Sequence, residues 1–480
     1  MIRPPLAVLA TATLLVCAAC DSRPTQPLVP DPSLAISDGS HEGNDHFFWL
    51  PPIAPGGSYG GTFIGTLSPV VRICDWLATD ECGTTVLEFG RTFGPAAHRV
   101  GVDVHGQHYH LNLDVSAFPQ LTAGTTYRIS VFFGDTDLGF ADVQMASNGQ
   151  SFKDLKTQEI IGLTDGRTFP IKFRIEKELL DYGLFTLAFH TQRDGDYEVY
   201  LSDASGHALV NVSNDPGVDG TPTWSPDGQM LAFMSDRHDP GGTPDIYVMN
   251  VDGTGVERVT YGGGWKPAWS PDGSTIAFQR GWPPESRNQD IWIVDPVTGA
   301  ETQLTDADCP AGLDHWEDID PTWDPTGLVT FARGDNETPL CGTGSNFPVT
   351  SFDIVVRVPW DPDVLRNLTR NPDVDQMTPA WSHDGAWLVF AQRTGDVASD
   401  LWLQPRFAAP GYPMGLTTTP DWINQEPDWA PDDASILFTR GATEESLGLW
   451  VLTLDGAKSP TGMTELIPDA GWGRFRPGTD

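Results

Sequence analysis

Short apolar runs alternate with polar turn residues throughout the C-terminal three-fifths of the chain, and most of these runs follow the same motif. The motif is Pro-x-Trp-Ser-Pro-Asp-Gly, complete at 222–228 and 267–273 and weaker at 321–327, 379–385 and 427–433. The apolar strand of each unit ends in a phenylalanine, with successive ones 44 to 59 residues apart: Phe189, Phe233, Phe278, Phe331, Phe390 and Phe438. Six all-β units of this length with a Trp anchor predict a six-bladed β-propeller.

Each unit divides into four predicted strands joined by turns. In the third unit the strands are 267–270, 275–278, 290–294 and 301–305, and Pro271-Asp-Gly273 makes the first turn. The first unit starts at Leu184 without a Pro-x-Trp strand of its own. We therefore expect the segment 472–477 to close the ring, as terminal strands do in propellers.

The lengths of the predicted loops differ between the two faces of the propeller. On one face, the short-turn face, lie the first-to-second and third-to-fourth turns. On the other, the long-loop face, lie the second-to-third and blade-to-blade loops, which carry nearly all the insertions: 236–243, 281–289, 306–320, 334–352 and 370–378. Because variable loops on a rigid scaffold usually carry binding sites, the long-loop face is the predicted binding face.

Residues 45–178 show alternating strands with turn signals, for example at 70–73, 109–115 and 127–131. This pattern predicts a β-sandwich that loosely resembles bacterial immunoglobulin-like domains. A proline-rich flexible linker is predicted at 21–44 and the propeller at 183–480. The predicted fold class is all-β: a six-bladed β-propeller preceded by an immunoglobulin-like β-sandwich domain.

The Trp-Ser-Pro-Asp-Gly repeats resemble those of the TolB-like family of six-bladed propellers, and the resemblance covers roughly residues 183–477. It implies the fold. It is weak for function, since such blades occur in periplasmic scaffold proteins, peptidase accessory domains and lyases. The chain departs from TolB itself, whose N-terminal domain is α/β, because the corresponding domain here is predicted to be all-β. TolB's partners therefore do not transfer on this resemblance.

The chain is strongly acidic, with 65 Asp and Glu against 28 Lys and Arg, a formal net charge of −37. A nucleic-acid or anionic-membrane partner would require a basic surface, so the composition argues against both. The negative charge would favour binding of basic partners or cations, and it also favours solubility.

The first twenty residues have the pattern of a secretory signal. Arg3 precedes an apolar run at 6–16, which is too short to span a membrane. The ending Ala-Ala-Cys20 resembles a bacterial lipobox, which implies a lipidated Cys20, while a plain signal peptide cut near Ala19 is the alternative. We expect a location in the bacterial cell envelope, periplasmic or surface, with membrane contact through the lipid anchor only.

Four cysteines remain after the leader, and an even number in an exported chain points to disulfides. The predicted pairs are Cys74–Cys82, which would close a small loop, and Cys309–Cys341, within one blade of the long-loop face.

A histidine-rich hairpin is the first candidate metal site. If Gly106-Gln107 is a two-residue turn, His105 faces His108 and Asp103 faces His110. Three imidazoles and a carboxylate at cross-strand distance could ligate Zn²⁺ or Cu²⁺. The alternative is a polar sheet face with ordinary, partly exposed histidines, because a one-residue change of register would split the set.

Acidic residues before the inner strands form the second candidate site. Five candidates are predicted to ring the long-loop mouth of the channel as ligand-binding residues: Asp219, Trp265, Asp318, Asp375 and Glu426. Asp320 belongs to the same set. The carboxylates could bind Ca²⁺, which prefers oxygen ligands, or a cationic ligand. The alternative is an unoccupied acidic rim.

Arginines that follow the second strands, among them Arg237, are predicted to pair with the acids that open the third strands, such as Asp245.

No catalytic residue is assigned from the sequence. Gly56–Gly60 matches Gly-x-Ser-x-Gly formally but lacks the strand and helix that a hydrolase elbow requires. The favoured interpretation is a lipid-anchored binding or scaffold protein that presents a propeller face to a protein, peptide or glycan. The alternative is a metal-assisted polysaccharide lyase or hydrolase. No cofactor is certain, with calcium or zinc as candidates.

Overall fold

The computed structural model describes residues 36–478 apart from several internal segments. Those segments are 39, 41–43, 55–58, 66, 77–81, 92–93, 96–97, 135, 147–151, 155–159, 162–167, 178, 180–184, 207, 282–288, 306–316, 335–350, 358–364, 370, 372, 394–397, 408–412, 420 and 444–445. Cys20, Cys309 and Cys341 lie outside the described residues, so lipidation and the Cys309–Cys341 disulfide stay predictions.

The described residues of the N-terminal domain form ten strands in two antiparallel sheets. They are β1 (Phe47–Trp49), β2 (Val70–Trp76), β3 (Cys82–Phe89), β4 (Gly101–Asp103), β5 (His108–Asp114), β6 (Thr126–Phe133), β7 (Thr136–Met145), β8 (Phe152–Asp154), β9 (Ile160–Ile161) and β10 (Thr168–Ile175). The sheet orders are β1-β10-β5-β4 and β3-β2-β6-β7-β8-β9. Both sheets contribute to one apolar core, which includes Tyr109 and Phe173 from the first and Ile129 and Val131 from the second. An immunoglobulin-like identity for this two-sheet domain stays a prediction.

The C-terminal domain consists of six four-stranded antiparallel sheets, which confirms the predicted number of blades. Blades 2 to 6 each use four consecutive strands. Their bounds are β14–β17 (Asp219–Trp224, Met230–Ser235, Asp245–Asn250, Glu257–Arg258), β18–β21 (Trp265–Trp269, Ile276–Arg280, Asp290–Val294, Glu301–Gln303), β22–β25 (Glu317–Trp323, Val329–Gly334, Asp353–Arg357, Leu365–Asn367), β26–β29 (Gln376–Trp381, Trp387–Arg393, Ser399–Pro405, Met414–Gly415) and β30–β33 (Ile423–Trp429, Ser435–Gly441, Gly448–Leu454, Pro460–Pro468).

Blade 1 is assembled from both ends of the domain. It contains β11 (Leu187–Thr191), β12 (Glu198–Ser202) and β13 (Val210–Asn211), and its inner strand is β34 (Gly471–Phe475), hereafter the closing strand. The closing strand pairs with β11 in the order β13-β12-β11-β34. The predicted closure by the chain's last segment is therefore confirmed, with Phe475 in the place of the repeat's tryptophan.

The Ser-Pro-Asp-Gly part of the motif forms the first turn of a blade. In blade 2 the Ser225 hydroxyl donates to Asp227 at 2.6 Å and accepts from the Met230 N–H at 2.9 Å. Gly228 has a φ of +66°, a conformation that glycine adopts without a Cβ penalty. These interactions satisfy the polar groups of the turn locally, which explains why the motif recurs.

The tryptophan of the motif joins neighbouring blades. The Trp323 indole N–H donates to the Ala268 carbonyl of the previous inner strand at 2.9 Å, and Trp429 donates to Ala380 at 3.3 Å. Trp224 does the same to Arg474 of the closing strand at 3.2 Å. Trp269 packs against the core between blades 2 and 3 and is partly buried.

The acidic residue at the start of a blade's third strand accepts hydrogen bonds from residues that follow the fourth strand. In blade 2 Asp245 accepts from the Thr260 hydroxyl at 3.0 Å and from the Gly263 N–H at 2.9 Å. In blade 5 Asp400 accepts from the Thr417 hydroxyl at 2.8 Å. Arg237 does not pair with Asp245, so the predicted pairing of second-strand arginines with third-strand acids was wrong.

The N-terminal domain packs on the short-turn face of blades 1 and 2. The Phe133 and Phe185 ring centroids are 5.5 Å apart, edge to face. Lys177 forms an ion pair of 3.3 Å with Asp252, in the third-to-fourth turn of blade 2. The side chain of Asp203, in the equivalent turn of blade 1, lies directly against Gly134 and leaves no room for a Cβ there, so the two domains are in close contact at this point. In the described part of the chain, no helix has the length and apolar character needed to cross a membrane.

Candidate functional site

Six structurally equivalent residues, one per blade, surround the central channel in a left-handed backbone conformation. In blades 2 to 6 each stands directly before the proline of Pro-x-Trp. We call the set the left-handed ring: Thr221, Lys266, Asp320, Thr378, Glu426 and Trp472, with φ between +48° and +59°. Positive φ is uncommon outside glycine and is most unfavourable for β-branched residues such as Thr221 and Thr378. In every blade the inner-strand pairing shifts register at this position, so the ring is a six-fold β-bulge.

The side chain of Lys266 closes the channel at the level of this ring. Its ammonium forms an ion pair with Asp320 of blade 4 and lies 4.4 Å from the ring centroid of Trp472 in blade 1. Blades 1 and 4 are opposite each other in a ring of six. A group that contacts both must lie near the propeller axis, so Lys266 makes the channel a dead end.

A cavity of about 330 Å³ lies between this closure and the short-turn face. Its walls are the residues between the proline and the tryptophan of each inner strand, which we call the wall positions: Thr223, Ala268, Thr322, Ala380, Asp428 and Arg474. Its mouth includes first-turn residues such as Pro226, Pro271 and His383. The cavity is therefore built entirely from propeller residues and opens away from the long loops.

Burial alters the ionisation of two acids beside the channel. It raises the pKa of Glu426 to about 7, although the Lys266 ammonium opposes the shift. The carboxylate of Glu426 accepts from the Thr439 hydroxyl at 2.8 Å and from the Trp472 N–H at 3.3 Å. Burial also raises the pKa of Asp428, which accepts from the Phe475 N–H at 2.7 Å. Both acids of blade 6 therefore hold the closing strand of blade 1.

His190 is kept neutral next to the left-handed ring. Desolvation lowers its pKa to about 3. Its Nδ1 lies 3.3 Å from the Thr221 N–H and accepts that hydrogen bond, which a neutral imidazole with the proton on Nε2 can do. The contact fixes the backbone of Thr221 and leaves its hydroxyl uncommitted.

Three of the five predicted channel-mouth residues are held in ion pairs within their own blades. Asp219 is fully buried and pairs with Arg237 at 2.8 Å, and desolvation raises its pKa. Asp318 is also fully buried and bonds Arg333 through both oxygens, at 2.6 and 2.5 Å. Asp375 pairs with Arg393 at 3.3 Å. The sequence placed the second-strand arginines on this face but assigned them to the wrong acids.

The other two predicted residues are also absent from the cavity lining. Trp265 is partly buried and packs against the apolar core between blades 2 and 3. Glu426 belongs to the left-handed ring but is buried beside the cavity. Asp320 lines the cavity, whereas Lys266, Thr221 and Arg474 were missed. The available signal was position, since the first two stand directly before the proline of a Pro-x-Trp motif.

The histidine hairpin has a different register from the predicted one. Asp103 faces His108 and Gly101 faces His110, because a four-residue turn at 104–107 replaces the predicted two-residue turn. Asp103 accepts from the Gly106 N–H at 2.8 Å, which lowers its pKa. His105 lies exposed in the turn. In the described ranges no three His, Cys, Asp or Glu side chains form a group suited to a metal ion, so the predicted four-ligand set is not assembled.

The Cys74–Cys82 disulfide stays a prediction. Cys74 is buried in β2, and Cys82 opens the neighbouring strand β3, opposite Trp76. The hairpin therefore brings the two cysteines near each other in the sheet, but the side chain of Cys82 lies outside the described residues.

Comparison with known proteins assigns the propeller. Residues 183–339 match the family model described as the TolB beta propeller domain. The Tol-Pal system protein TolB of Alcanivorax borkumensis is 36% identical over 74 residues, 15% of this chain and 16% of that protein. The Tol-Pal system protein TolB of Syntrophus aciditrophicus is 40% identical over 58 residues, 12% of each chain.

A crystal structure of TolB from Acinetobacter baumannii is also similar, with a TM-score of 0.47 and 15% identity over 73% of this chain and 80% of that one. The matches to the two curated relatives thus span less than a fifth of their lengths. The C-terminal domain is a TolB-like β-propeller.

Proposed function

We propose that this chain is an exported binding and scaffold protein of the bacterial cell envelope, and that its propeller holds a protein partner on the long-loop face. The observation that carries the proposal is the position of the N-terminal domain. Its described contacts lie on the short-turn face, at Asp203 and Asp252, and not among the described residues of the opposite face.

The described surface of the long-loop face offers groups typical of a protein interface. Tyr261 is 71% exposed in the loop between blades 2 and 3, and Tyr197 is exposed in blade 1. Aromatic side chains are enriched where proteins bind one another. With a net charge of −37, the chain favours a partner with a basic contact surface, and such binding should weaken as salt screens the charges.

The similarity to Tol-Pal system TolB proteins supports the same assignment at the level of the propeller. The matched segments are short, so a protein partner for this chain is part of the proposal and is not established by the similarity. Envelope location and lipid anchoring rest on the leader-like sequence at 1–20. Peptide and glycan ligands on this face remain alternatives of the same kind.

The alternative of a metal-assisted lyase or hydrolase gains no support from the described residues. Within those ranges no set of metal-ligating side chains has formed, and the cavity has a histidine only at its mouth, His383, paired with Asp433 at 3.0 Å. We therefore favour binding over catalysis.

Photo-crosslinking from the two faces tests the proposal. A benzophenone amino acid at Tyr261 should crosslink one defined envelope protein in the source cells. The matched control is the same group at Val297, which is 91% exposed in the third-to-fourth turn of blade 3 on the short-turn face. A defined crosslink from Val297 with none from Tyr261 would place the partner on the wrong face and overturn the proposal.

A further inference from the structure

The dead-end cavity on the short-turn face has no role in the proposed partner binding. It opens between the first turns of the blades, on the side opposite the long loops. Its volume of about 330 Å³ is at the lower end of the range for small-molecule pockets. The cavity therefore suits a compact ligand, whose chemistry depends on the polar atoms of the wall that have no partner and are accessible.

The wall residue Arg474 has unused hydrogen-bond donors. Its Nη1 donates to the Gly473 carbonyl at 2.9 Å. Its Nε and Nη2 have no hydrogen-bond partner among the described residues, and neither nitrogen is enclosed by the protein. A planar guanidinium with free donors matches the two oxygens of a carboxylate. Arg474 is therefore suited to bind the carboxylate of a ligand.

The wall residue Asp428 in the neighbouring blade has an unused acceptor. Its Oδ2 accepts from the Phe475 N–H at 2.7 Å, whereas its Oδ1 has no partner among the described residues and is not enclosed either. Burial raises the pKa of Asp428, and the Arg474 guanidinium opposes that rise. The two side chains are therefore near each other although no ion pair joins them. Oδ1 is suited to bind the ammonium group of a ligand.

The other charged groups of the lining already have partners of opposite charge. Lys266 and Asp320 form the ion pair that closes the floor, and His383 at the mouth is paired with Asp433. One cation and one anion thus remain unpaired in the wall. A ligand with a single charge would satisfy only one of them, whereas a zwitterion would satisfy both.

Small side chains lie across the channel from these two charges. In a ring of six, blade 3 is opposite blade 6 and blade 4 is opposite blade 1, so the wall positions Ala268 and Thr322 are opposite Asp428 and Arg474. Apolar residues such as Pro271 complete that side of the lining. The part of the cavity away from the charges can therefore accommodate an apolar group.

We propose that this cavity is a binding site for a free α-amino acid with an apolar side chain, independent of the partner on the long-loop face. The α-carboxylate binds to Arg474, the α-ammonium binds to Asp428, and the side chain extends towards Ala268. The ligand enters from the short-turn face, because Lys266 closes the other end.

Titration of the full chain with L-phenylalanine and L-leucine tests the proposal. Calorimetry should show one-to-one binding of at least one of them, with a Kd on the order of 0.1–1 mM. The matched analogues lack the ammonium (3-phenylpropionate and 4-methylpentanoate) or the carboxylate (2-phenylethylamine and 3-methylbutylamine). Each analogue should bind at least about 10-fold more weakly than its parent amino acid, because one charge-assisted contact is lost. Absence of binding by both amino acids at ~10 mM, or an analogue that binds as tightly as its parent, would overturn the proposal.

Two variants link binding to this cavity. Arg474→Gln and Asp428→Asn should each weaken amino-acid binding at least about 10-fold. Asp428→Asn retains a carbonyl oxygen that can accept from the Phe475 N–H, so it removes the charge while keeping the contact between blades 6 and 1. The matched control is Arg366→Gln, at an exposed residue in the outer strand of blade 4, which should bind like the parent chain. Thermal melts check that each variant folds, and unchanged affinity in either cavity variant would overturn the assignment.

Discussion

The inner strands of blades 6 and 1 are attached to the neighbouring blade by different residues. The inner strand of blade 6 ends in Trp429, which is 1% exposed and donates its indole N–H to the preceding blade. The inner strand of blade 1 is the closing strand, where Phe475 has no such donor and Gly473 replaces the proline. In compensation, Glu426 and Asp428 of blade 6 accept hydrogen bonds from its backbone. A repeat can therefore lose its anchor side chain when its neighbour supplies acceptors instead.

Of the changes considered, removal of the closing strand should cause the largest loss of stability. A chain that ends after Ala470 leaves the inner edge of β11 unpaired and exposes apolar groups such as Leu187. We expect a large loss of thermal stability and of cooperativity in circular dichroism melts, because an open propeller ring loses the contacts between its first and last blades. A chain that ends after Gly478 is the control and should melt like the parent. Equal melting of both truncations would show that closure does not matter.

The two anchor residues, Trp429 and Phe475, should contribute differently to the free energy of unfolding. Trp429→Ala should cost about 3–5 kcal/mol of unfolding free energy, the usual range for a buried large aromatic. Phe475→Ala should cost about 1–2 kcal/mol less, because Phe475 is partly buried and loses no side-chain hydrogen bond. Urea unfolding of both variants gives the difference. A larger loss for Phe475→Ala would reverse our ranking of the two junctions.

Asp428 provides a sharper test of the compensation. The equivalent wall positions Ala268 and Ala380 are already alanine, so Asp428→Ala makes blade 6 resemble an ordinary blade. We expect a loss of about 1–3 kcal/mol, because the Phe475 N–H loses its acceptor. Thr223→Ala is the matched control in blade 2 and should stay within about 0.5 kcal/mol of the parent. Equal values for the two would remove Asp428 from the closure.

Replacement of Glu426 should have an effect on stability that depends on pH. Its folded pKa of about 7 lies above the ordinary value of 4.5, so the folded state holds the proton more tightly than the unfolded state. The stability linked to that proton is complete below about pH 4.5 and is lost as the pH rises through about 7. Glu426→Gln keeps the acceptor for the Trp472 N–H and should be more stable than the parent at pH 8, by up to about 3 kcal/mol, with little gain at pH 4.5.

Urea unfolding across that pH range measures this difference, and Glu257→Gln, at an exposed outer-strand residue, is the control. A pH-independent difference for Glu426→Gln would show that the buried carboxyl does not titrate in this window.

The strands could be predicted from the sequence because each blade repeats the same local chemistry. The strand predicted at 290–294 is observed as Asp290–Val294, and the predicted closing segment overlaps Gly471–Phe475. The channel could not be predicted in the same way, because the bulge at the left-handed ring determines which side chains enter it. Its position just before an inner strand assigned Asp219 to the mouth, whereas the structure buries it against Arg237. The histidine hairpin failed for a related reason, since turn length sets register and composition did not fix that length.

The closing strand also sets an order of events for the newly made chain. Thr191 in β11 bonds to the Asp469 carbonyl, just before the closing strand, across a separation of 278 residues. Because a chain is made from its N-terminus, blade 1 must wait, with one edge unpaired, until the five other blades have been synthesised. Open strand edges invite pairing with other chains. Completion of the propeller is thus a late event in folding, and chaperones would have their longest opportunity to act at blade 1.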